Sequence, residues 1–123
     1  MKHETTRILL IEEDTTLADI TSFRLELCGY VVDVAHSAHD AFEAIESNVP
    51  DVIITDLVLP DIDGCEFISR LSHDKQSSHI PIMVFSTNTA LDQVERAYAA
   101  GARQYLVTPF DPMVLDERVE SLL

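Results

Sequence analysis

Five short apolar runs, each separated from the next by a longer amphipathic stretch, limit what this chain can fold into. The runs are Ile8–Ile11, Val31–Val34, Val52–Ile54, Ile82–Phe85 and Tyr105–Val107. They are rich in β-branched residues and mostly continuous rather than alternating, the pattern of strands buried on both faces of a parallel sheet. The intervening stretches carry helical periodicity. Ala38, Ala41, Phe42 and Ile45 follow an i, i+3, i+4, i+7 pattern, with Asp40, Glu43 and Glu46 on other faces. Near the end, Leu115, Val119 and Leu122 share one side while Asp116, Glu117 and Glu120 share the other. Strand followed by helix, five times over, predicts an α/β fold: a doubly wound, five-stranded parallel sheet with right-handed crossovers and five helices.

Local signals divide the chain in the same places. Gly29 and Gly101 follow apolar helical stretches, as left-handed helix terminators do. Pro50 and Pro81 stand just before strand-like runs, where a missing N–H costs little. Asp111-Pro112 reads as an N-cap followed by the first helical residue, and Ser37 and Thr89 are further candidate caps. Cys28 and Cys65 show neither ligand spacing nor a disulfide framework and read as buried thiols in helical patterns.

With 123 residues and neither linker nor repeat, the chain is expected to form one domain, 1–123, without an output domain. Asp and Glu number 22 against 8 Lys and Arg, for a formal charge of −14. Such a surface repels polyanions, so nucleic acid is not expected as a direct partner. The three glycines lie far apart, which excludes a Gly-rich phosphate loop. No segment has the length of a membrane span, and the amino-terminal apolar run of four residues is too short for a signal peptide; a cytoplasmic protein with no membrane partner is expected.

In open parallel sheets, sites form at the carboxyl ends of the strands. Those ends carry Glu12-Glu13-Asp14, Ala35-His36-Ser37, Asp56, Ser86-Thr87-Asn88 and Thr108-Pro109-Phe110. Acids at the first and third ends and a hydroxyl at the fifth would converge near the middle of the sheet. Gathered carboxylates repel one another unless a cation joins them, and hard oxygen ligands favour Mg²⁺. Asp14, Asp61 and Asp63 read as helix N-caps. Asp56 ends an apolar strand and is not placed to cap a nearby helix, so it is expected to have either a charge partner or a functional reason. His36 and His39 have no soft third ligand near them and read as solvated histidines.

The whole chain resembles the receiver domain of bacterial two-component response regulators. The resemblance rests on Leu10-Ile11-Glu12-Glu13, on the D-x-x-x-P-x-x-D-G segment from Asp56 to Gly64, on Pro81 to Ser86, and on Gly101 to Phe110. The spacings fit as well, with 43 residues from Glu13 to Asp56, 30 to Ser86 and 22 more to Thr108. It implies a flavodoxin-like sheet of strand order 2-1-3-4-5. It also implies a signalling module, not an enzyme beyond its own phosphorylation and dephosphorylation. Asp56 would accept a phosphoryl group from a histidine kinase or histidine phosphotransfer protein. Mg²⁺ (or Mn²⁺) would be held by Glu12, Glu13, Asp56 and the main-chain carbonyl of Val58. Ser86 would contact the phosphoryl oxygens and Tyr105 would be the aromatic switch. A downstream protein, or a second copy in a homodimer, would meet the face from Leu91 to Leu122 formed by the fourth helix, fifth strand and fifth helix.

The chain departs from the family pattern at three positions. Thr108 stands where a lysine is usual, Glu13 where aspartate is usual, and Thr87 where a small residue is usual. The other lysines, Lys2 and Lys75, belong to the opposite edge of the sheet. The Thr108–Pro109 bond is expected to be cis, as the resemblance implies. The missing lysine leaves a second reading, a degenerate receiver that binds constitutively with little or no phosphorylation. A third, a metal-dependent aspartyl phosphatase, wants an acid two residues after the nucleophile, where this chain has Val58.

Overall fold

The computed structural model describes residues 5–108 and 111–123. Its elements run β1 (Arg7–Ile11), α1 (Thr15–Leu27), β2 (Val31–Ala35), α2 (Ala38–Ser47), β3 (Val52–Thr55), α3 (Gly64–His73), β4 (Ile82–Ser86), α4 (Leu91–Ala100), β5 (Gln104–Val107) and α5 (Pro112–Leu122). All neighbouring strands are parallel, in the order β2-β1-β3-β4-β5. This is the doubly wound α/β fold that the alternation of patterns predicts.

Strand periodicity separates the interior into two cores. Leu9, Ile11, Ile53, Ile82, Val84 and Tyr105 face the side covered by α2, α3 and α4. Ile8, Leu10, Ile54, Met83, Phe85 and Leu106 face the side closed by Leu25 of α1 and Leu115 and Val119 of α5. Each fully buried aliphatic side chain contributes about 1.5–3 kcal/mol by leaving water. Continuous apolar runs are therefore what a sheet covered on both faces requires. On the first side, Phe42 of α2 meets Phe67 of α3 edge to face, with ring centres 5.3 Å apart.

Two expectations are corrected. The Val31–Val34 run does form a strand, but β2 is not buried on both faces: Val31, Asp33 and Val34 are exposed. It is an edge strand with one neighbour, and Arg7 of β1 pairs with Asp33 across its outer surface at 2.7 Å. Thr89 is not the cap of α4. That helix begins after Ala90, which supplies no side-chain bond, while Asn88 Oδ1 accepts from the Ala90 N–H at 2.9 Å. The other caps match the local signals: Asp14, Ser37, Asp63 and Asp111 each accept from an amide in the first turn of the helix that follows. Lys2 and the Thr108–Pro109 bond fall on residues outside those described.

Candidate functional site

The order β2-β1-β3 places the reversal of winding at β1 and β3, so the loops after these strands share one crevice. Glu12 directly follows β1 and Asp56 directly follows β3. The Asp56 N–H donates to the Ile11 carbonyl at 3.2 Å, which extends the ladder to the acid itself.

Glu12 is 3% exposed. Its Oε2 accepts from the Asp14 N–H at 3.1 Å, whereas Oε1 is buried with no donor in reach. Burial is the main reason that the Glu12 carboxyl titrates at about 7. The Asp14 amide opposes the shift, and the adjacent Asp56 carboxylate adds to it through its charge and by favouring a shared proton. An unsatisfied buried carboxylate oxygen beside a second carboxylate suits a hard cation, which removes both the repulsion and the unmet acceptor. Glu12 and Asp56 thus fit Mg²⁺, which needs only one or two carboxylates and keeps several waters.

Glu13 stands differently. It is exposed, and among the described residues no three His, Cys, Asp or Glu side chains group closely enough to hold a metal.

Asp56 is half-buried and its Oδ1 is engaged by two main-chain N–H groups, Leu57 at 2.6 Å and Val58 at 3.3 Å. The loop beyond it closes on itself through an antiparallel bridge between Val58 and Asp63 and through the Gly64 N–H, which donates to Leu57 O at 2.9 Å. Only glycine fits there, because a Cβ on Gly64 would lie 2.5 Å from the Leu57 main chain. The Val58 side chain is exposed, so backbone links alone fix the residue. Asp61 reaches back across the crevice, accepting from the Ala38 N–H at 3.0 Å and the His39 N–H at 2.8 Å. It is a cap, as its type suggests, but on α2 rather than on the helix it precedes. Capping patterns are local, so nothing in the sequence announces that partner.

Ser86 ends β4 and is buried, with its Oγ accepting from the Asn88 N–H at 3.1 Å. The Tyr105 ring is buried against the α4 side of the sheet, and its hydroxyl donates to Asn88 O at 2.7 Å. Thr108, half-buried, follows β5 and donates its N–H to Ser86 O at 2.9 Å. Ser86 and Thr108 thus sit at the carboxyl ends of β4 and β5, whereas Tyr105 lies inside β5 and reaches residue 88 through its hydroxyl. Among the described residues no Lys, Arg or His pairs with Glu12 or Asp56, and Lys75 is exposed in the turn between α3 and β4.

The histidines stay at the margin. His36 Nδ1 lies 2.8 Å from the Glu12 carbonyl, and His39 pairs with Glu43 at 2.6 Å; both side chains are exposed. No helix among the described residues is long and apolar enough to cross a membrane.

Comparison with known proteins agrees with this geometry. Residues 8–120 match the response regulator receiver domain family. The chain is 35% identical over 120 residues to the DNA-binding dual master transcriptional regulator RpaA of Synechocystis sp., covering 95% of this chain and 48% of that protein. It is 31% identical to chemotaxis protein CheY1 of Helicobacter pylori, covering 95% of this chain and 96% of that one. It therefore spans about half the length of the first relative and nearly all of the second. The crystal structure of chemotaxis response regulator CheY4 of Vibrio cholerae superposes with a TM-score of 0.89 at 27% identity, covering 96% of this chain and 98% of that one. Strand order, an acidic crevice at the winding reversal and a family match over nearly the whole length lead to one assignment: the chain belongs to the response regulator receiver domain family of two-component signalling.

Proposed function

We propose that this receiver accepts a phosphoryl group on Asp56 from the phosphohistidine of a histidine kinase or histidine phosphotransfer partner. The observation that carries the reading is the buried Glu12 oxygen with no donor beside Asp56, which leaves the crevice incomplete without a cation. Oδ1 of Asp56 is held by two N–H groups, so Oδ2 is the oxygen that attacks phosphorus. The P–N bond to the donor histidine breaks as the acyl phosphate forms, and the histidine leaves. Glu12, Asp56 and the Val58 carbonyl would hold Mg²⁺ or Mn²⁺, with exposed Glu13 as a mobile fourth ligand. A bound cation supplies charge neutralisation for the carboxylates and the incoming phosphoryl oxygens.

Ser86 would then hydrogen-bond a phosphoryl oxygen, giving up its present bond from Asn88. Tyr105, tied to the main chain of the same Asn88, would report the change to the β5 surface. Leu91, Tyr98 and Val107 are exposed apolar residues on the α4–β5–α5 face, which suits docking of a downstream protein or of a second copy.

The test is incubation with acetyl phosphate and Mg²⁺, read by intact mass. A phosphoryl adduct that Asp56→Asn abolishes is expected. Thr108, uncharged at the strand end nearest Ser86, supports the alternative of a constitutive receiver; absence of the adduct with every donor would establish that alternative instead.

A further inference from the structure

We propose that Asp61 is a positioning residue for the cation site: its carboxylate, clamped on the first two amides of α2, holds the Asp56–Gly64 loop so that the Val58 carbonyl is presented to the metal. The inference rests on the proposed role of that carbonyl as a ligand.

The loop is fastened at its base and at its tip by different means. At the base, Gly64 bonds Leu57 and Val58 bridges Asp63. Asp63 is itself committed to α3, whose Glu66 N–H it accepts at 3.4 Å, and to Arg96 of α4 at 3.1 Å. At the tip, Leu59 is buried and Pro60 is exposed, so the polar hold on residues 59–62 comes from Asp61.

That hold is strong for an exposed residue. Both carboxylate oxygens accept main-chain N–H groups that a helix start leaves without partners, and the α2 dipole favours the charge. Burial alone would raise the Asp61 pKa, yet the main-chain N–H groups of His39, Ala38, Asp61 and Ile62 outweigh it and the carboxyl stays below its ordinary range. Val58 needs such a hold because no apolar packing fixes it: its side chain is exposed, and its N–H bond to Asp56 is long at 3.3 Å.

A second cap on the same helix separates positioning from mere stability. Ser37 Oγ accepts from the Asp40 N–H at 3.1 Å, a different amide, and makes no bond to the loop. Loss of either cap destabilises the start of α2, but only loss of Asp61 releases the tip of the loop.

The experiment is Mg²⁺ titration by isothermal calorimetry on the full chain, above the Glu12 pKa of about 7, with thermal unfolding of the same samples. Asp61→Ala is expected to weaken Mg²⁺ binding roughly tenfold, as loss of an outer-shell partner does. Asp61→Asn, which keeps one acceptor oxygen, should recover part of that loss. Ser37→Ala should lower the melting temperature while leaving Mg²⁺ affinity as in the wild type. Wild-type affinity in Asp61→Ala, or an equal loss in Ser37→Ala, would overturn the positioning role while leaving the metal site standing. A wild-type chain that binds no Mg²⁺ would overturn the site and this inference together.

Discussion

The Tyr105 hydroxyl donates to the main-chain carbonyl of Asn88 at 2.7 Å, linking β5 to the loop that follows β4. The N–H of the same residue donates to Ser86 Oγ at 3.1 Å, so one peptide segment connects the aromatic ring to the hydroxyl at the crevice. Tyr105→Phe removes the first bond and leaves the second. Asn88 is exposed, so water can satisfy its carbonyl and the expected loss is about 0.5–1.5 kcal/mol of stability. Phosphorylation of Asp56 should persist in this variant while binding of the downstream partner weakens. Urea denaturation and intact mass measure the first two quantities, and a mass adduct lost along with the hydroxyl would contradict the proposed separation of acceptance from switching.

Glu12 makes the stability of the metal-free protein depend on pH. Its carboxyl titrates at about 7 in the fold, against 4.5 for the ordinary group. Between those values the folded chain keeps a proton that the unfolded chain has released, so this residue's contribution to stability falls as pH rises and is lost above about 7. Glu12→Gln should flatten that part of the profile, measured by denaturation in chelator across the interval. Mg²⁺ binding should tighten as pH rises through the same range, because the ligand form is the carboxylate.

Thr108 offers no positive charge to the crevice, and among the described residues no cation pairs with Asp56 or Glu12. The wild-type protein should therefore bind Mg²⁺ more tightly than Thr108→Lys, in which an ammonium group competes for the same carboxylates. Parallel calorimetric titrations decide the matter; equal or tighter binding in the lysine variant would exclude this account.

Gly64 is the position where the Asp56–Gly64 loop tolerates least. A methyl group there would sit 2.5 Å from the Leu57 main chain, and backbone cannot move aside as a flexible side chain can. Gly64→Ala is expected to cost about 1–3 kcal/mol and to slow phosphorylation, since Leu57 also supplies the 2.6 Å bond to Asp56. A chevron or urea midpoint, with a mass time course beside it, checks both effects.

Much of the fold is legible in residue order because strands and helices bury side chains with different periods. Runs such as Ile8–Ile11 and Ile82–Phe85 could satisfy only a sheet covered on both faces, and both are buried. The same reasoning misjudged β2, since an apolar run does not tell whether one neighbouring strand or two will flank it. It also placed a cap at Thr89, where the structure uses Asn88 Oδ1 on the Ala90 amide instead.

The site divides in a similar way. Residue type and position were enough to single out Asp56, because strand ends follow from strand positions and sites lie at strand ends, whereas the roles expected of Glu12 and Ser86 came from the family resemblance. Which of Glu12 and Glu13 would be buried, and that one Glu12 oxygen would lack a donor, depended on side-chain direction and on water exclusion by neighbouring elements. The bond from Asp61 to α2 spans 22 and 23 residues and lies beyond any local rule. Sequence by itself determined the alternation of elements, the parallel sheet and the candidate chemistry at its carboxyl edge, since these follow from short-range periodicity and residue type. Only the tertiary structure decided which acid is desolvated, which amides hold the Asp56–Gly64 loop and how far β2 is exposed, because burial and charge proximity are properties of segments brought together from far apart in the chain.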